Sequence, residues 1–415
     1  MAPPAETTTT TSTTTSTSTS TSTSTTASTT SATSTTTVTV LFDYGGVLKA
    51  ISYSPVPLKN PGPVLPHDDF MSNETVALWG QQGRGDLRIM KALGANTVRL
   101  YGNDPTLDHS DFLSEVEALQ LKVIPGISDY PYTQMEKRCQ WTDFDCYEQI
   151  KENYLGVLRG GFLRGRTATY HSAISAVVLM NEPELKLAGD ILPNVFAKAM
   201  VSALDAVLDA EREAGVQGPR PSLTVTFSFS VCRFCARFGD VPALGQMWEL
   251  RNAMRNPMAV GYQPRNDLWK AYEERFVHSV NTENTAEEFF RLFLGQYELE
   301  FRKPVFVGEY HAPNRGADLR SDLRAMIRRS ANQSSLLVGF SFFEFQVRYD
   351  KGGGAAGEMG FGMFGLGDRS VCSLSLSGAP FDAWCLTDVQ EASVTISEAV
   401  AGAFRGPGLA PPMLC

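Results

Sequence analysis

Short, unbroken apolar runs alternate along this chain with longer stretches whose apolar residues recur every three or four positions. The runs are too short for helices and lack strict alternation, so they read as strands buried on both faces of a parallel sheet. The stretches between them read as amphipathic helices laid over that sheet. Eight strands can be placed: Val47–Tyr53, Ala95–Tyr101, Leu121–Ile127, Ala176–Met180, Leu223–Ser230, Phe276–Val280, Pro304–Gly308 and Leu336–Phe345. Helices are predicted over Asp86–Leu93, Asp111–Leu119, Phe144–Leu158, Phe196 to Gly215, Leu244–Met254, Thr285–Phe301 and Ala317–Arg329, with a last one inside Asp388–Ala403. Eight strands alternating with helices predict an α/β chain whose domain, residues 38–405, is a (β/α)8 TIM barrel.

The ends differ in kind. Thr7–Thr37 contains only Thr, Ser and Ala; it has no apolar surface to offset backbone ordering, so residues 1–37 read as a disordered Ser/Thr-rich segment. Such a tract suits an O-glycosylated stalk or a plain linker. Residues 406–415 form a Pro-rich tail, and Gly352–Gly367 reads as a mobile loop at the barrel mouth.

Composition narrows the partners. A net charge of −9 without a basic stripe argues against nucleic acid, and no run of ~18 apolar residues exists to cross a membrane. The seven cysteines allow three local pairs, 139–146, 232–235 and 372–385, leaving Cys415 over. Loop disulfides of a secreted protein fit this pattern better than zinc or redox chemistry, since Cys232 and Cys235 have no second pair to complete a metal site. The sequons Asn73-Glu74-Thr75 and Asn332-Gln333-Ser334 lean the same way. The opening MAPPAE carries no basic n-region or apolar h-region, so an extracellular or cell-wall location implies either a truncated chain or another route of export.

The candidate chemistry lies at two strand ends. Ala176–Met180 runs into Asn181 and Glu182 and is stopped by Pro183; Val305-Phe306-Val307-Gly308 runs into Glu309 and Tyr310. Strands four and seven face one another across an eight-stranded barrel, and a barrel keeps its chemistry at the C-terminal ends of its strands. A retaining glycosidase needs two carboxyl groups ~5–5.5 Å apart, one to protonate the leaving oxygen and one to attack the anomeric carbon. Glu182 is the candidate acid, with a proton affinity raised for the task, and Glu309 the candidate nucleophile. Asn181 is placed to bond a sugar 2-hydroxyl, Tyr310 to orient Glu309, and Arg99 to favour the charged form of a neighbouring carboxylate. Glu344, ending strand eight, is a core support or a sugar contact, and Asp129 lies at the exit of strand three. Tyr53, Tyr101, Tyr130, Tyr132, Trp141, Phe343 and Tyr349 are aromatic candidates for stacking on sugar rings. His109, His278 and His311 lack metal-ligand spacing, so neither a metal nor another cofactor is expected.

These residues carry a resemblance. Asn96-Thr97-Val98-Arg99-Leu100-Tyr101, followed by Asp104-Pro105 and Asp108-His109, resembles the second strand and following loop of the fungal β-1,3-glucanosyltransferases (glycoside hydrolase family 72, clan A). The family's Asn-Glu acid/base is similar to Asn181-Glu182, its Glu-Tyr nucleophile to Glu309-Tyr310, and its aromatic-Glu-aromatic strand eight to Phe343-Glu344-Phe345. Three features depart from it: Pro183 after the acid, His311-Ala312-Pro313 after the nucleophile, and the glycine-rich stretch 352–367. The resemblance implies a retaining enzyme on β-linked polysaccharide or oligosaccharide, β-1,3-glucan foremost; a monomer is expected. Asn-Glu-Pro, common in clan A cellulases and mannanases, keeps an endo-β-glucanase or β-mannanase open. An inactive barrel that binds carbohydrate or builds the cell wall is the alternative of another class.

Overall fold

The computed structural model describes residues 46–188, 191–313, 318–352, 358–410 and 413–415. The expected Ser/Thr-rich segment, residues 1–37, lies outside them, as do residues 353–357 of the glycine-rich stretch.

Eight parallel strands form one sheet: β1 Leu48–Ser52, β2 Thr97–Arg99, β3 Lys122–Ile124, β4 Ala176–Asn181, β5 Ser222–Phe227, β6 His278–Thr282, β7 Val305–Tyr310 and β8 Leu337–Phe342. Their spatial order is β3-β2-β1-β8-β7-β6-β5-β4. Parallel bridges Val123–Ile174 and Gly126–Val178 join the two outer strands. Hydrogen bonds from Val178 N to Pro125 O (2.9 Å) and from Ile127 N to Val178 O (3.0 Å) reinforce that seam. The sheet is a nearly closed barrel with helices between its strands, the predicted (β/α)8 architecture.

Two apolar layers hold it. Leu48, Ala50, Ile124, Ala176, Val178 and Phe306 form a small buried cluster inside the barrel. The alternate strand residues, such as Val177, Leu179, Val305 and Val307, join the large cluster under the helices. Burying each such side chain contributes roughly 1.5–3 kcal/mol, which is why the strands read as continuous apolar runs. The helices carry their own stops and starts: Pro193 opens the long helix Pro193–Glu213, and Thr285 with Glu288 forms a capping box at the start of Ala286–Phe289.

The C-terminal part differs from expectation. Within the stretch read as a loop, β9 (Phe364–Leu376) begins at Phe364 and pairs antiparallel with β10 (Ala379–Asp388). Ser377 and Gly378, with φ of 47° and 86°, make the two-residue turn between them. Gln390–Glu391 then pairs with Val394–Thr395, and the last helix, Ile396–Phe404, follows that pair within the expected stretch and runs one residue past its end. The disulfides differ too. Cys139–Cys146 and Cys232–Cys235 are bonded, but Cys385 pairs with Cys415 and Cys372 is free. The reason is register: Cys372 stands opposite Ala383, not Cys385, and its thiol donates to Ala77 O at 3.3 Å.

Candidate active site

Both strands that end in the candidate carboxylates are irregular just before them. Along β7, Val307 pairs with Val280 of β6, but the next pair is Glu309 with Asn281, so Gly308 is an extra residue. Along β4, Val178 pairs with Thr224 and the next pair is Asn181 with Thr226. An extra residue breaks the in–out alternation and re-aims the side chains after it. It lets Phe306 and Glu309, three apart, both face the interior. Gly308 is required there: a Cβ would lie 2.9 Å from each of Asn281 Oδ1, Ser279 Oγ and Thr226 Cγ2.

The side chains so aimed form one hydrogen-bonded chain. Arg99 Nη1 donates to Glu309 Oε1 at 2.9 Å, and Arg99 Nη2 to Asn181 Oδ1 at 2.7 Å. Asn181 Nδ2 donates to the same Glu309 oxygen at 3.3 Å. Asn281 Nδ2 then reaches Glu182 Oε1 at 2.9 Å and Asn181 Oδ1 at 3.2 Å. The Arg99 guanidinium is buried and its Cζ lies 4.3 Å above the Tyr101 ring. Glu309 keeps 17% of its side chain open to solvent. Burial, and secondarily the charge of Glu309, raise the proton affinity of Glu182, while the Asn281 bond and the charges of Lys186 and Arg99 pull it back.

Glu182 has the left-handed backbone conformation, φ 56° and ψ 53°, and caps the turn Pro183–Lys186. A non-glycine residue there costs roughly 1–2 kcal/mol, which Pro183, preset for helical φ, and the bond from Glu182 N to Thr226 O (2.7 Å) help to offset. Beside the carboxylates opens a cavity of about 810 Å³ whose walls include Arg99, Tyr101, Asn181, Asp129, Lys186 and Tyr130. Asp129 Oδ2 accepts from Lys186 Nζ at 2.7 Å across its rim.

Of the residues singled out from sequence, Glu182, Glu309, Asn181, Arg99 and Tyr101 come together, and Asp129 stands on the cavity wall. Tyr310 does not join them: beyond the bulge it faces outward, and its hydroxyl donates to Asp322 of the helix Leu319–Ser330. Tyr53 is also turned away, donating to Asp86 Oδ2 at 2.8 Å. Glu344 is buried to 1% exposure, has an unpartnered Oε1, and burial pushes its carboxyl up to about 8. Among the aromatics, Tyr130 and Trp141 are exposed, whereas Tyr132 is buried against Leu179 O. Asn281 escapes the sequence reading, although a polar residue at the exit of strand six is the available signal.

No family model matches the sequence, and no curated protein is similar to it. Solved structures are. Gas2 in complex with compound 10 matches with a TM-score of 0.51 and 14% identity, over 87% of this chain and 65% of that one. ScGas2 in complex with compound 6 matches with a TM-score of 0.50 and 14% identity, over 88% and 67%. The chain has the fold of Gas2. Saccharomyces cerevisiae Gas2p in complex with laminaripentaose gives a TM-score of 0.49 and 13% identity, over 87% of this chain and 65% of that one. The chain thus spans about two thirds of the Gas2 chains, and what it shares with Gas2 at this identity is the barrel.

Proposed function

We propose that this protein is a retaining glycoside hydrolase or transglycosylase of β-glucan, β-1,3-linked foremost, acting by double displacement. The observation that carries the reading is the single network joining Glu309, Arg99, Asn181, Asn281 and Glu182 at the ends of β4, β6, β7 and β2. One carboxylate is supplied with a cation and an amide; the other has its proton affinity raised by burial and by the charge of Glu309. That asymmetry is what acid and nucleophile need.

In the first step Glu309 attacks the anomeric carbon while Glu182 gives its proton to the departing oxygen, leaving a glycosyl ester on Glu309. Forming the ester removes the Glu309 charge, and with it one of the two causes that raise Glu182. Glu182, having lost its proton, then stays ionised and free to act as base in the second step. There it takes the proton from water or from a sugar hydroxyl as that oxygen displaces Glu309. The β-1,3 preference rests on the motif resemblance at Asn96–His109, within which Arg99 and Tyr101 meet the carboxylates. Pro183, which opens the turn after the acid, favours plain hydrolysis as a second reading. An inactive binding barrel is disfavoured by the intact pair of carboxylates. Three disulfides support an extracellular or cell-wall setting.

The test is mass spectrometry of products after incubating the full chain with one defined β-1,3-gluco-oligosaccharide reduced at its end. Products longer than the donor mean transfer, and only shorter ones mean hydrolysis. No turnover of this substrate, nor of β-1,4-glucan or mannan oligosaccharides, would reject the enzyme.

A further inference from the structure

Two residues beyond the acid sits a second carboxyl that the reaction does not use. Glu184 is 1% exposed. Its Oε1 accepts from Ser228 N and from Ser228 Oγ, both at 2.7 Å, while Oε2 is buried and has no hydrogen-bond partner among the described residues. Half-satisfied buried carboxyls are costly, and an apolar residue in that place would avoid the cost. Ser228 lies just past the end of β5, and its hydroxyl continues to Ser230 Oγ at 2.6 Å. Gln246 Nε2 fixes that second serine through its carbonyl at 2.8 Å.

We infer that Glu184 is a positioning residue for the proton donor: it ties the turn Pro183–Lys186 to the exit of β5 and so holds Glu182 in its left-handed conformation, aimed at the departing oxygen. The inference rests on the glycosidase reading above. The turn is only four residues long and has no side-chain cap of its own. It is fastened to β5 at Thr226 O through the backbone of Glu182 and at Ser228 through the side chain of Glu184. Lys186 and Gln140 tie the far end of the turn elsewhere, to Asp129 and by bonds to Lys186 O and Leu187 O, so without the second fastening only the backbone bond to Thr226 O joins its start to β5. Glu309 hangs from β7 and is held by Arg99 and Asn181, so the loss should fall on proton donation and spare nucleophilic attack.

Aryl β-laminaribiosides separate these two events, because a 2,4-dinitrophenolate leaves without a proton and a phenolate does not. The readout is kcat/KM, which reports the first displacement only. Glu184→Ala should lower kcat/KM on the phenyl glycoside by roughly 30-fold or more, a part of what a general acid contributes, and leave the 2,4-dinitrophenyl glycoside within about 3-fold of wild type. Glu184→Gln, whose amide oxygen still accepts from Ser228, should restore most of the loss. Ser228→Ala, which keeps the backbone bond, should show the same selectivity more weakly, and serves if the alanine variant does not fold. Equal losses on both substrates, or no loss on either, would overturn the inference while leaving the enzyme intact. A wild-type protein inert toward both aryl glycosides, and toward the oligosaccharides above, would overturn the glycosidase reading and this inference with it.

Discussion

The two carboxylates occupy matching places on opposite strands, yet their surroundings are unlike. Glu309 lies in a nest of donors: a buried guanidinium and an amide converge on one oxygen. Glu182 receives one amide and is otherwise governed by burial and by the negative charge of its partner. On the proposed mechanism, identical side chains come to different tasks through donor supply. The lesson is that a strand end selects where a carboxylate sits, and its neighbours select what it does.

The comparison can be broken most severely at Glu309. Glu309→Gln should lower kcat on a β-1,3-gluco-oligosaccharide by on the order of 10⁴-fold or more, with glycan binding kept in calorimetry; an active variant would remove Glu309 from the nucleophile's role. Glu182→Gln should cost about 10²–10⁴-fold, the range of a positioned acid, and a loss as deep as that of Glu309→Gln would erase the proposed division of labour. A subtler break is Gly308→Ala. Its methyl group meets Asn281, Ser279 and Thr226 at 2.9 Å, which should cost about 1–3 kcal/mol in denaturant unfolding and disturb both carboxylates together.

Two pH experiments sharpen the contrast. In the proposed mechanism the acid works protonated, so activity should fall as pH rises through the affinity of Glu182. The Asn281 bond favours the ionised form, so Asn281→Ala should move the alkaline limb of kcat/KM upward, by roughly half a unit to one unit. A downward shift would contradict the assigned acid. Glu344 offers a carboxyl raised by burial without an amide donor, up to about 8. The folded protein therefore binds this proton more tightly than the unfolded chain does, and the associated stability is present below about pH 4.5 and lost as pH rises toward 8. Glu344→Gln should thus raise Tm relative to wild type at pH 8–9, with the difference shrinking toward pH 5. A constant difference would show that the carboxyl does not titrate in this window.

The strands were legible because burial on both faces writes them as apolar runs, and the carboxylates because each follows such a run directly. What was not legible depends on register. Strand six, read as Phe276–Val280, runs from His278 to Thr282, and that shift of two hid Asn281. Tyr310 follows Glu309 in sequence as closely as Asn181 precedes Glu182, but the direction of each is decided by an extra residue that pairing reveals and composition does not. The hairpin β9–β10 was obscured by glycines before it and serines within it, which weaken alternation, and Cys385 found its partner 30 residues away rather than the nearer Cys372.

Gly308 is also a joint in the backbone. It stands between Val307 and Glu309 without a partner in β6, whose Val280 and Asn281 are consecutive, so the carboxylate keeps the level of Asn281 and the extra residue is taken up in a local bend. Deleting it would restore simple alternation and still leave the Glu309 side chain facing inward opposite Asn281, but it would straighten the strand beneath the carboxylate. One unmatched residue on this barrel therefore adds no height; it sets the angle at which a strand delivers its last side chains.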